Sequence, residues 1–202
     1  YFGSGKPRDI LPGGELTCAG IGARWANVAN TPFRYWKGNQ HEGGIRTPLI
    51  VHWPAGLEVA PGTITQQDGH VMDIAATCLD AADATYPNHY RDNAITPMEG
   101  KTLLPIFSGQ TRQGHGQLFF EHYGHKAVRE GKWKLVSDED GPWHLYHLGN
   151  DPSELQDVAE DQPEMVERLA SDWRAWAIRT NAMQPSSAPA ALDSAVLLKE
   201  GS

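Results

Sequence analysis

The segment Lys37 to Gly44, KGNQHEGG, gathers a cation, two amides, an imidazole and a carboxylate just ahead of an apolar run, Leu49 to Trp53. A lysine in such a loop can serve as a fixed positive charge for an anionic group. Two adjacent glycines let the backbone approach a ligand or a neighbouring segment closely. Loops at strand ends are also where α/β proteins place their sites. The same residues admit a plainer reading, with Lys37 on the surface, Glu42 bonding the backbone of a turn and Gly43-Gly44 forming a tight corner. A second polar group, Glu121-His122 with His125, ends the run QLFFEHY. A carboxylate beside an imidazole can move protons or hold a substrate hydroxyl, so His122 is a candidate substrate contact; a structural pair at a junction is the alternative. Asp73 reads as a hydrogen-bonded structural acid. Arg129, Lys132 and Lys134 read as a solvated strand face rather than an anion patch, because Asp138, Glu139 and Asp140 follow directly. Cys18 and Cys78 form no CxxC and no Cys/His ladder, so neither a zinc site nor a disulfide framework is legible, and Cys78 reads as a small core hydrophobe.

The elements that must position these groups follow from punctuation and periodicity. Residues 1–30 are rich in Gly and Pro and read as irregular loop. LIVHW, bounded by Pro48 and Pro54, reads as a short buried strand of a sheet covered on both faces. Val71, Ile74, Ala75, Cys78, Leu79 and Ala82 recur at helical spacing, predicting an amphipathic helix over 68–84 with Asp68 near its start as a cap. A short helical turn is expected over 101–107 and a boundary near 110–116. Beyond it, QLFFEHY, HKAVR, KWKLV and WHLYHL are short aromatic and branched segments separated by turn residues, which predicts an antiparallel meander with Glu130-Gly131 as a hairpin connection. Asp161 to Glu164 has the form of a capping box with Pro163 in the first turn, and Met165, Val166, Leu169, Trp173, Trp176 and Ala177 share one helical face. That stripe is expected to pack on the meander, and residues 184–202 to form a flexible tail.

The composition bounds the function. Seventeen Lys plus Arg against 25 Asp plus Glu give a net charge of −8 over 202 residues, with no basic stripe of the kind nucleic acid requires. No apolar run approaches the ~18 residues of a membrane-spanning helix.

The run NTPFRYWKGNQHEGGIRTPLIVHWPAG resembles the C-terminal signature of the sulfatase family, in which a lysine precedes Glu-Gly-Gly and an Arg/Ser-x-Pro leads into an apolar strand. Lys37, Glu42, Gly43, Gly44, Arg46 and Pro48 fill that pattern. HVMDIAATCLDAADATYP, EGKTLLPIFSG, AVREGKWKLV and LYHLGNDPSE resemble further family segments, in the family's order. WANVANTPFR brings the likeness nearest to bacterial-type arylsulfatases. The resemblance implies an α/β fold: the C-terminal portion of an alkaline-phosphatase-like sulfatase domain over 1–115, then a small α+β domain over 116–183 with an antiparallel sheet and one long helix. It implies a sulfuric ester hydrolase acting on a sulfated small molecule or glycan, with Lys37 as the catalytic and sulfate-contacting residue and His122 as a substrate contact. It also implies a formylglycine nucleophile and a calcium ion whose ligands lie upstream of Tyr1, so that no metal ligand is expected here and the isolated chain is expected to be inactive. Asp92-Asn93 has the composition of a metal-binding pair but follows no apolar strand. Export to a periplasm or the cell exterior is a further implication. The alternatives are a phosphomonoester or phosphonate hydrolase of the same superfamily and a non-catalytic relative that binds sulfated glycans.

Overall fold

The computed structural model describes residues 22–182, so Cys18 and the tail expected over 184–202 lie outside the described residues. The elements run α1 (Gly22–Ala29), α2 (Glu42–Ile45), α3 (Met72–Ala81), β1 (His89–Tyr90), β2 (Asn93–Ala94), α4 (Leu104–Phe107), β3 (Leu118–His122), β4 (His125–Glu130), β5 (Trp133–Ser137), β6 (His144–His147) and α5 (Pro163–Thr180). They divide into two compact units. The described part of one is residues 22–47 with 117–182, and the other is 48–116. Residues 22–47 thus group with the meander, whereas the sequence reading places them with 48–115.

In the first unit β3, β4, β5 and β6 form the antiparallel meander in consecutive order. Turn chemistry sets its register. Tyr123 and Gly124, with φ of 52° and 85°, join His122 to His125 as the positive-φ pair of a type I′ hairpin. Glu130 pairs with Trp133, so the second connection is Gly131-Lys132, one residue later than expected, with the positive φ at Gly131. Alternation then gives the sheet two buried faces. Val128, Leu135 and Leu145 meet Leu169, Ala170, Trp173 and Ala177 of α5 on one side, while Ala127, Val136, Tyr146 and Leu148 lie on the other. The expected aromatic stripe of α5 is therefore core: Trp176 stacks on Phe119 at 5.5 Å, and the Trp173 indole N–H donates to the Phe120 carbonyl at 3.0 Å. Burying each such apolar side chain is worth ~1.5–3 kcal/mol. The capping box does not form, because Gln162 takes the N-cap position without a side-chain bond, leaving Pro163 to open the helix. At the other end Asn181, at φ 59°, closes it in the left-handed conformation. Residues 22–29, expected as loop, are helical because ARWANVA contains no breaker after Gly22.

The second unit departs further from the sequence reading. α3 forms, but Asp68 does not cap it, and its buried residues are Asp73 and Thr77 rather than the apolar stripe. Ile74 is 44% exposed, and Cys78 is exposed too, not a core residue. LIVHW forms no strand: among the described residues no strand lies beside it to pair its backbone, and Ile50 is 90% exposed. Leu49, Val51 and Trp53 instead line an open groove of about 400 Å³ with Ile74, Cys78 and Phe107. The helical turn expected over 101–107 is α4, and Asp92-Asn93 falls in the exposed two-stranded hairpin of β1 and β2.

Candidate functional site

Lys37 stands on a tight turn. The Asn39 N–H bonds the Trp36 carbonyl at 3.1 Å, enclosing Lys37 and Gly38. Gly38 has φ of 105° and open space where a side chain would stand, so glycine is needed there for conformation rather than for room. The approach to the turn is fixed by two amides. Asn27 Oδ1 accepts from the Tyr35 N–H and Asn30 Nδ2 donates to the Tyr35 carbonyl, both at 3.0 Å, which holds Tyr35 at φ 62°. Beyond the turn, Gly43 donates to the Arg34 carbonyl at 2.9 Å, and a methyl group on Gly43 or Gly44 would run into the carbonyls of Arg34 or Asn39. The side chain of Lys37 is exposed, with no ion pair among the described residues, while Gln40, His41 and Glu42 are buried. The sequence therefore builds an anchored loop that presents one ammonium to solvent.

The anchor is a buried charge cluster. Glu42, fully buried at the start of α2, accepts from Lys134 Nζ at 2.9 Å; the same ammonium lies 2.9 Å from Glu154 Oε1. Glu154 Oε2 accepts the Glu42 N–H at 2.7 Å and lies 3.3 Å from His41 Nδ1, whose Nε2 faces Asp138 at 3.7 Å. Arg34 donates to the Glu154 carbonyl at 2.6 Å and reaches the Tyr146 hydroxyl at 3.4 Å. Burial alone would raise the Glu154 carboxyl, but the His41 ring, the Lys134 ammonium and the Glu42 amide outweigh it and hold the group below its ordinary value. Lys134 is thus not on a solvated strand face: it is 0% exposed, on the side of β5 shared with Val136. Sequence reasoning missed this cluster. Strand alternation was the available signal, since Lys134 and Val136 point the same way and a buried Val136 face carries its lysine inward.

His122 ends β3, exposed, with its ring against Tyr123 at 4.0 Å, and Glu121 accepts the Gly124 N–H at 2.9 Å, bracing the hairpin. No hydrogen bond or ring contact joins His122 to Lys37 among the described residues. His125 turns instead to Asp138 at 3.0 Å.

In the unit over 48–116, Asp73 gathers four donors. Lys101 N–H (2.8 Å) and His115 Nε2 (2.7 Å) meet one oxygen, while His70 N–H (2.9 Å) and Arg112 (2.8 Å) meet the other. Burial opposes ionisation, yet these donors draw the carboxyl down from 3.8 to about 2. The expected structural role of Asp73 is what this geometry provides. Thr77 Oγ1 likewise accepts the Leu103 N–H at 2.9 Å.

Among the described residues no group of three or more His, Cys, Asp or Glu side chains is placed to hold a metal ion. None of the described helices is long and apolar enough to cross a membrane.

The arrangement can be set beside known proteins. The sequence profile of the family described as "N-sulphoglucosamine sulphohydrolase, C-terminal" matches residues 34–174, which include the Lys37 turn, the charge cluster and most of α5. An uncharacterised sulfatase of Schizosaccharomyces pombe is 31% identical over 167 residues, covering 79% of this chain and 30% of the relative. Human arylsulfatase A is 29% identical over 168 residues, covering 67% of this chain and 31% of the relative. Among solved structures, a Bacteroides thetaiotaomicron protein described with the metabolism of multiple glycosaminoglycans superposes with a TM-score of 0.53 at 25% identity, over 69% of this chain and 30% of its own. Ps i-CgsB, solved with k-i-k-neocarrahexaose, gives 0.62 at 24% identity over 77% of this chain and 34% of its own, which speaks for the fold. The chain spans between 15% and 31% of the length of the curated relatives it matches. With the family profile covering most of its length, the chain belongs to the sulfatase family and carries that family's C-terminal region.

Proposed function

We propose that this chain is the C-terminal part of an arylsulfatase-type sulfuric ester hydrolase that cleaves sulfate monoesters of small molecules or glycans, with Lys37 as its contribution to catalysis. One observation carries the reading: Lys37 is exposed while the residues that follow it, Gln40 to Glu42, are buried, with Glu42 bonded to Lys134 and Glu154, so the backbone that carries the ammonium is anchored before any ligand arrives. Displacement at a sulfate ester concentrates negative charge on the leaving oxygen and the sulfate oxygens. A cation already positioned there lowers the barrier without having to reorganise. In this reading Lys37 contacts the sulfate group on its leaving side and His122 contacts the remainder of the substrate. A formylglycine nucleophile and a calcium ion, implied by the family resemblance, would supply the attacking oxygen and a second positive charge. Neither is assigned to residues of this chain. A glycan substrate is in keeping with the oligosaccharide bound by the related Ps i-CgsB.

The test is turnover of 4-nitrophenyl sulfate by the whole protein that carries this chain. Lys37→Ala is expected to lower kcat by ~10²–10³-fold, the usual loss for removing one preorganised stabilising group. A wild-type rate would overturn the role of Lys37. Turnover of 4-nitrophenyl phosphate with none of the sulfate would overturn the choice of ester. The chain on its own is expected to turn over neither, and sulfatase activity in it would overturn the assignment of the nucleophile to other sequence.

A further inference from the structure

We infer that Lys134 is a positioning residue for Lys37, clamping through Glu42 the turn that presents the candidate catalytic ammonium; this rests on the sulfatase reading above. Lys134 is the second residue of β5 and is 0% exposed, so it cannot reach a substrate itself. Both of its close contacts are carboxylates, Glu42 Oε1 and Glu154 Oε1, each at 2.9 Å.

The connection from Glu42 back to Lys37 is stiff, for three reasons. The Glu42 N–H is itself held by Glu154 at 2.7 Å, so its backbone is pinned to Glu154 and its side chain to Lys134, which also pairs with Glu154. Gly43 bonds the Arg34 carbonyl on the near side of the turn at 2.9 Å. The α-carbons of Gly43 and Gly44 lie so close to the carbonyls of Arg34, Tyr35, Trp36 and Asn39 that no methyl group fits between them. The helical turn α2 therefore rests directly on the backbone that encloses Lys37, and a shift of Glu42 is passed on rather than absorbed. Without the ammonium, two buried carboxylates would face each other across the space it fills. One of them then takes up a proton or moves away, and in either case Glu42 loses the side-chain tie that joins its loop to β5. The side chain that ties the loop to the sheet thus lies 97 positions downstream of the residue it serves (134 − 37 = 97).

The test is a double-mutant cycle in the whole protein, read by kcat on 4-nitrophenyl sulfate, with near-UV circular dichroism to establish folding. Lys134→Met is expected to lower kcat on the order of 100-fold, the loss that a misplacement of about 1 Å produces. Lys134→Arg should recover part of it. In a Lys37→Ala background Lys134→Met should cause no further loss, because the two residues act at one step. A merely structural lysine gives losses that multiply, and that result overturns the inference while leaving the role of Lys37 intact. A wild-type kcat in Lys134→Met overturns it as well, and a wild-type kcat in Lys37→Ala alone overturns both readings. If Lys134→Met does not fold, Glu42→Gln takes its place. It keeps the side chain's shape and removes one of the two carboxylate charges, and the same failure to multiply with Lys37→Ala is expected; multiplication again overturns the clamp.

Discussion

Asp73→Asn tests how the unit over 48–116 is held together. The substitution is nearly isosteric, yet each carboxylate oxygen of Asp73 faces two donors. An amide offers one oxygen, so in either orientation two donors meet an NH2 group. Arg112, 3% exposed, then lacks its counter-charge. Breaking a buried pair on one side costs ~3–5 kcal/mol. At ~1.4 kcal/mol per factor of ten, that is a loss of ~10²- to ~10³·⁵-fold in protection against local opening. Amide hydrogen exchange reads it at Lys101 and Leu103, whose N–H groups bond Asp73 and Thr77. Protection in the β4–β5 ladder, in the other unit, serves as the control. Unchanged exchange at Lys101 would refute the claim that Asp73 holds this segment. The sign with pH follows from the carboxyl lying at about 2 rather than 3.8. A depressed acid stabilises the fold above its ordinary value and loses that contribution as pH falls through the folded one, so ~2 kcal/mol should disappear between about pH 4 and pH 2. The Asn variant should lack this acid transition in the exchange of residues 101–103.

Two further perturbations test the other unit. Trp173→Ala removes an indole that is 4% exposed, packed against Trp143 and Trp176 and bonded to the Phe120 carbonyl, and should cost ~3–5 kcal/mol in urea unfolding. A loss under ~1 kcal/mol would contradict its place in the core. Gly44→Ala drives a methyl group into the Asn39 carbonyl and should cost ~1–3 kcal/mol. Gly131→Ala, in open space at φ 57°, should cost no more than the ~1–2 kcal/mol of a left-handed residue. Equal activity of the wild-type and Gly44→Ala whole proteins would show that the contact does not govern the Lys37 turn.

What was legible in the sequence is what local chemistry decides. The α5 stripe, the four segments of the meander and α4 were readable because each has its own periodicity or turn residues, and all form. The prediction failed where the outcome depends on what lies opposite. LIVHW has strand composition, but a strand needs a neighbour, and none lies beside it among the described residues. The apolar stripe of α3 is exposed for a related reason: Asp73 and Thr77 are drawn inward by partners near residues 101–115, which no helical periodicity can announce. At the candidate site, Lys37 and the Glu-Gly-Gly were visible as a loop able to do chemistry. The partner that fixes them was not, because a lysine between Trp133 and Leu135 looks like an ordinary solvent-facing strand residue until both sides of the sheet are known to be covered.

These failures share a cause. In each unit, segments far apart in sequence meet at a buried carboxylate. KGNQHEGG, GKWKLV and NDPSE meet through Glu42, Lys134 and Glu154; VMDIAAT, EGKTLL and TRQGH meet through Asp73 and Thr77. An apolar contact tolerates sliding and repacking by a residue or two. A buried acid with three or four donors does not, since every shift strands a polar group away from both water and its partner. A net gain in stability over a packed apolar equivalent is not required for this device, because what it enforces is one register among several. Under the proposed function, a loop that presents an ammonium to a sulfate group needs that kind of constraint.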